Sequence, residues 1–143
     1  YNLVYREEER EMIPLCRREG IGVLPWSPLA RGYLTRPHSD RDRTDRGSGR
    51  DTIGETETPA YHESGGTDIN ERVEELATEK GVTMAQLSLS WILHKDVVDA
   101  PIIGVTSVDH LKDAVEALDI SLTAREIDYL EEPYQPRPII GHE

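Results

Sequence analysis

The segment Gly22-Val23-Leu24-Pro25-Trp26-Ser27-Pro28-Leu29-Ala30-Arg31-Gly32 holds the side chains best suited to chemistry. An apolar run ends at Trp26 and Ser27, and in parallel α/β folds ligands gather at the carboxyl ends of strands. A large aromatic in that place can stack on a flat ring. The Ser27 hydroxyl and the backbone amides beyond Pro28 can meet phosphate oxygens. Thr106 and Ser107 open a helix whose free N–H groups attract anions. Other chemistries find no frame. His38, His62, His94, His110 and His142 lie far apart with no i, i+4 pair, so no metal site is expected. Cys16 stands alone, which leaves no disulfide framework and reads as a small buried hydrophobe. Ser27 sits in no Gly-x-Ser-x-Gly frame, which argues against a hydrolase.

The elements that must position these residues alternate. Arg6 to Glu19 is a charged start followed by an apolar helix face, with Pro14 in the first turn and Gly20 as the stop. Residues 21–26 and 100–104 are short, nearly all-apolar strands of the kind buried on both faces of a parallel sheet. Between them the pattern predicts helices over 69–80, capped by Thr67 or Asp68, and from Thr83 onward, with Trp91 pointing into the core. A further helix starts near Ser107, with Leu111, Val115 and Leu118 on one stripe. The last opens on the capping box Thr123-Ala124-Arg125-Glu126 and stops at Pro133. Residues 35–64 turn to Asp, Arg, Gly, Thr and Pro, which predicts a long mobile surface loop on the side of Trp26. Residues 134–143 are expected to be an irregular tail. Two strands with helical crossovers make an α/β unit but not a whole sheet, so the 143 residues read as one partial domain of a larger α/β fold.

Charge narrows the partners. Acidic residues number 28 against 16 basic, a net charge of -12, and such a surface repels nucleic acid and anionic lipid. Acid excess with only three Lys and no Phe suits a salty cytoplasm, so a halophilic, for instance haloarchaeal, source is expected. No apolar run is long enough to span a membrane and no signal peptide is visible, which predicts a cytoplasmic protein. The chain starts at Tyr1 without Met and is expected to continue upstream.

Trp-Ser-Pro-Leu-Ala-x-Gly after an apolar strand resembles the signature of the aldo-keto reductases. Tyr1-Asn2-Leu3 with Arg6 and Glu9, the helix Thr83-Met84-Ala85-Gln86-Leu87-Ser88-Leu89-Ser90-Trp91, and Pro101-Ile102-Ile103-Gly104 are similar to further segments of that family, in the family's order. The resemblance implies the C-terminal part of a (β/α)8 TIM barrel and an NADP-dependent oxidoreductase. It implies that Trp26 stacks on a nicotinamide ring, and that Ser27, Pro28, Leu29, Arg31 and Gly32 surround the pyrophosphate. Gly104, Thr106, His110 and Asp113 would hold the adenosine half and its 2′-phosphate. His110 and the Ala114 after Asp113 depart from the family's usual residues, so NADPH is the family's cofactor here with NADH still open.

The resemblance further implies that the catalytic Asp, Tyr, Lys and His belong to an upstream half. The chain is then a C-terminal, cofactor-holding fragment without a catalytic residue of its own, inactive alone. Its partners would be the nicotinamide cofactor, a small aldehyde or ketone in the complete enzyme, and the missing N-terminal half. Two rival readings stand beside this one. The chain could be an inactive remnant, or Leu76 to Leu93 could form a helix-turn-helix module, although Met84 to Leu93 offers no Arg or Lys to phosphate.

Overall fold

Helix punctuation explains most of the architecture. The computed structural model describes residues 1–43 and 61–139. Helix α1 spans Met12–Glu19, with Pro14 in its first turn, where a missing N–H is harmless, and Gly20 closing it at φ 66°. Helix α2 spans Gly66–Lys80 and is entered through Gly65 at φ 81°, not through a Thr67 or Asp68 cap. A Cβ on Gly65 would lie 1.8 Å from the Pro133 carbonyl oxygen, so a bare glycine lets the C-terminal segment cross the helix start. Helix α3, Met84–Leu93, opens on a capping box in which Thr83 Oγ1 accepts from the Gln86 N–H and Gln86 Oε1 accepts from the Thr83 N–H. Helix α4, Val108–Glu116, is capped by Ser107, and α5, Ala124–Glu131, by the expected Thr123 and Glu126 box. Tight 3₁₀ turns at Glu7–Glu9, Ala30–Thr35, His38–Arg43 and Ala117–Asp119 join them.

Helix α3 is the centre of the core. Leu87, Trp91 and Ile92 are fully buried against Leu3, Leu34, Ile69, Val73 and Leu130. Each such side chain contributes about 1.5–3 kcal/mol by leaving water. A polar cluster surrounds Trp91, whose Nε1 donates to Glu131 Oε1 at 2.8 Å. Arg6 Nη2 lies 2.7 Å from both Glu9 Oε2 and Glu131 Oε2, Lys95 pairs with Glu131, and Tyr1 donates to Glu9. With nearly all of α3 buried, no face is left to enter a DNA groove, which removes the helix-turn-helix reading.

The expected barrel architecture is not what the chain forms. The two apolar runs do lie side by side and parallel, but only through isolated bridges, Val23 with Val98 and Trp26 with Ile102. The described residues contain no strand and no sheet, so the C-terminal part of a (β/α)8 barrel is corrected to a helical assembly with two parallel bridges. The cause is local. Pro25 and Pro101 have no N–H to give a ladder, and the Val23 N–H donates to the Asp99 side chain at 2.7 Å. Just two inter-segment backbone bonds remain there, Asp99 N–H to Val23 O at 3.0 Å and Ile102 N–H to Pro25 O at 2.8 Å. Nor are the runs covered on both faces: Ile21, Leu24 and Ile102 are exposed. Helix α4 buries none of its residues: Leu111 and Val115 are exposed, as is Leu118 in the 3₁₀ turn that follows.

The loop expected over 35–64 falls mostly on 44–60, outside the described residues. Residues 134–139 carry no helix or strand and are tied down nonetheless. Buried Glu7 accepts at Oε1 from the Tyr134 hydroxyl (2.7 Å) and the Arg137 N–H (2.8 Å). Among the described residues no helix is long and apolar enough to cross a membrane.

Candidate functional site

Trp26 stands at the end of the second bridge with 64% of its surface exposed. Beyond it the backbone takes an unusual course. Ser27, Ala30 and Arg31 have φ of 51°, 50° and 55°, and Gly32 has 97°. Left-handed conformations in residues other than glycine cost of order 1 kcal/mol each, so the surroundings must hold them. They do so from below. Asn2 Nδ2 and the Ala30 N–H both donate to the Ser27 carbonyl at 3.0 Å, and the Gly32 N–H donates to Leu29 O at 3.0 Å. Tyr33 and Leu34 are buried, and their carbonyls accept from Asn70 Nδ2 (2.7 Å) and Ser88 Oγ (3.3 Å), which fixes the turn to α2 and α3.

This loop exposes one indole, one guanidinium and a run of backbone. The Arg31 guanidinium carbon lies 5.9 Å from the Trp26 ring centroid, so a cation and an aromatic face are presented together. Pro28 is buried and Leu29 half-buried, so they anchor the turn while Ser27 and Gly32 remain partly open. The second predicted group begins two residues past the bridge. Gly104 is exposed, and a Cβ there would meet nothing within 4 Å. Thr106 Oγ1 lies 3.1 Å from His110 Nδ1, both exposed, and Asp113 is half-buried one turn on. The bridge between Trp26 and Ile102 is what brings the two groups to one end of the paired segments.

Beside Trp26 a cavity of about 430 Å³ opens between α1 and residues 22–27, with Met12, Ile13, Leu24 and Arg31 on its walls. Cys16 lines it and is half-buried, in place of the buried position expected for it. Tyr1, also on its wall, is held protonated: burial and its bond to Glu9 both push the phenol up from its ordinary value. The described residues include no group of three or more His, Cys, Asp or Glu able to hold a metal.

Asn2 is a site residue that sequence reasoning missed. Its carbonyl partner lies 25 positions away, and no local pattern announces such a contact. The pairing of Arg31 with Trp26 was closer to hand, since five residues across a Pro- and Gly-bearing turn can bring a cation over a ring.

Comparison with known proteins places the chain. The model of the aldo/keto reductase family matches residues 1–135. A putative aryl-alcohol dehydrogenase of Schizosaccharomyces pombe is 48% identical over 99% of this chain and 38% of its own length. A putative aryl-alcohol dehydrogenase of Saccharomyces cerevisiae is 46% identical over 96% of this chain and 39% of its own. The versiconal hemiacetal acetate reductase of Aspergillus parasiticus is 42% identical over 97% of this chain and 40% of its own. The crystal structure of a thermostable aldo-keto reductase superposes with a TM-score of 0.63 at 25% identity, covering 93% of this chain and 37% of that one. The chain thus spans about two fifths of the length of the curated relatives it matches.

These matches correct three expectations. The family model runs through nearly the whole chain, so the likeness is not confined to a C-terminal half. The readings of a C-terminal fragment without catalytic residues, and of a missing N-terminal half as partner, are replaced by what the matches show: a family likeness over nearly all of this chain, which spans about two fifths of the relatives' length. The halophilic source finds no support either, since the relatives named are from yeasts and a mould. Family membership implies use of NAD(P)H in general, and by its match over residues 1–135 this chain belongs to the aldo/keto reductase family.

Proposed function

We propose that the chain binds a nicotinamide dinucleotide along Trp26 to Gly32 and Gly104 to Asp113, in the service of hydride transfer to or from a small aldehyde or ketone. One observation carries this reading: an indole 64% exposed, followed by a turn with four left-handed residues and flanked by an Arg cation. An indole so placed presents an aromatic face on which a flat heterocycle can stack. The residues present fit such a group. Trp26 offers a stacking face, Ser27 to Gly32 a turn of backbone amides beside a guanidinium, and Gly104 open space at the start of the second arm. When bound, the cofactor supplies the hydride. The chain's own part is to hold the ring flat, to neutralise phosphate charge with Arg31 and the N-terminal amides of α4, and to keep the loop from reorganising.

NADPH is the form proposed, with NADH the alternative. The Thr106 and His110 pair at the mouth of α4 supports it, because a hydroxyl, an imidazole and free helix amides together suit a phosphate. Asp109 in the same turn works against the anion, so the preference is modest. The aryl-alcohol dehydrogenase names of the yeast relatives favour an aromatic aldehyde or alcohol as substrate. The proposed setting is the cytoplasm, where a soluble dinucleotide is at hand. Titration calorimetry with NADPH and NADH tests the reading. NADPH binding that is about tenfold or more weaker in Trp26→Ala supports it, and no binding of either dinucleotide contradicts it.

A further inference from the structure

Ser27 adopts φ 51°, a conformation that glycine would hold without help and serine does not. Its carbonyl accepts from the Ala30 N–H, which belongs to the same turn, and from Asn2 Nδ2, which comes from the other end of the sequence. Asn2 is 2% exposed and its polar groups are engaged. Its N–H and C=O pair with Tyr5, Oδ1 accepts from the Val4 N–H at 3.1 Å, and Nδ2 is given to Ser27. Asn2 lines the cavity beside Trp26 yet spends its side chain on backbone.

We propose that Asn2 is a positioning residue: its buried amide holds the Ser27 carbonyl and thereby keeps the Trp26 to Gly32 turn in the one conformation that receives the dinucleotide. The inference rests on reading that turn as the cofactor site. Asn2 itself touches no ligand. Its effect on affinity passes through Ser27, because without the bond position 27, which precedes Pro28, falls back to extended states and binding must first select the competent one.

The test is NADPH affinity of the full chain, read from nucleotide fluorescence on titration, in a cycle of two substitutions. Asn2→Asp keeps the acceptor for Val4 and replaces the donor by an oxygen that repels the Ser27 carbonyl. It should bind NADPH about tenfold more weakly while its circular dichroism stays that of the unsubstituted chain. In a Ser27→Gly background the same change should cost about threefold or less, because glycine takes the left-handed conformation unaided. Should Asn2→Asp fail to fold, the uncharged Asn2→Ser carries the same two expectations. An unchanged affinity, or an equal loss in both backgrounds, overturns the inference, since a merely structural asparagine would not couple to position 27. A chain that binds no NADPH before any substitution overturns the cofactor reading, and this inference with it.

Discussion

Two tryptophans of one chain meet opposite fates. Trp91 is fully buried at the centre of α3, its Nε1 bonded to Glu131 and its ring beneath Lys95 at 4.8 Å. Trp26 has most of its surface in solvent, makes no Nε1 hydrogen bond among the described residues, and has its ring beside Arg31 at 5.9 Å. The first is held by surroundings that satisfy every part of it. Around the second the satisfaction goes to the backbone, through Asn2, Asn70 and Ser88, and the side chain is left free. A fold can thus spend its buried polar groups on a centre or on a loop, and only the loop then retains a face for a ligand.

The sharpest way to break this contrast is at Trp91. Trp91→Ala should destabilise the chain by about 3–5 kcal/mol, since it opens a core cavity and removes the donor from Glu131. Urea unfolding followed by circular dichroism measures it, and a loss under about 1 kcal/mol would mean that the buried cluster is not the centre of stability.

A second effect, intermediate in size, lies in acid. Burial alone would raise the Glu7 carboxyl, but bonds from the Arg137 N–H, the Tyr134 hydroxyl and Arg10 outweigh it and hold the group below its ordinary 4.5. Hydrogen bonding to Lys80 and the Thr123 N–H lowers Glu126 to about 2. Both groups are depressed in the folded state, so their stabilisation is present above the unfolded value and is lost as pH falls through the folded one. Stability should therefore decline from about pH 4.5 downward, with the Glu126 share fading last, toward about pH 2. Glu126→Gln should flatten the lower part of that decline in an acid titration of thermal stability, and an unaltered profile would count against the Lys80 pairing.

How much of this could be read in the residues differs between the two regions. Helix ends were legible because caps act within four residues: Gly20, Ser107 and the Thr123 box are where local chemistry predicts them. Trp91 was legible from helical spacing for the same reason. The paired segments were not. Apolar runs at 21–26 and 100–104 match strands by composition, but a strand needs a continuous ladder of N–H donors, and Pro25 and Pro101 withhold them. The apolar stripe of α4 was legible but its exposure was not, because periodicity reports that a face is apolar and not what covers it. The Arg6, Glu9 and Glu131 cluster and the Asn2 contact join residues far apart in the chain, and spacing carries no signal over such distances. In the candidate site the aromatic and the turn were visible in sequence, whereas the support beneath them was not.

The smallest effect sharpens the contrast from the exposed side. Val108 is 71% exposed on α4, so Val108→Thr should change stability by no more than about 0.5 kcal/mol. A larger loss in the same urea assay would show that this face is covered in solution.

In the proposed complex the exposed tryptophan, and not the buried one, meets the dinucleotide. Intrinsic fluorescence during an NADPH titration tests it directly, because the two indoles differ in environment and only Trp26 is open to a stacking ring. NADPH should quench saturably, and Trp26→Ala should remove that quenching while the emission of Trp91 stays in place. Quenching that survives Trp26→Ala unchanged would put the dinucleotide elsewhere on the chain and contradict the account.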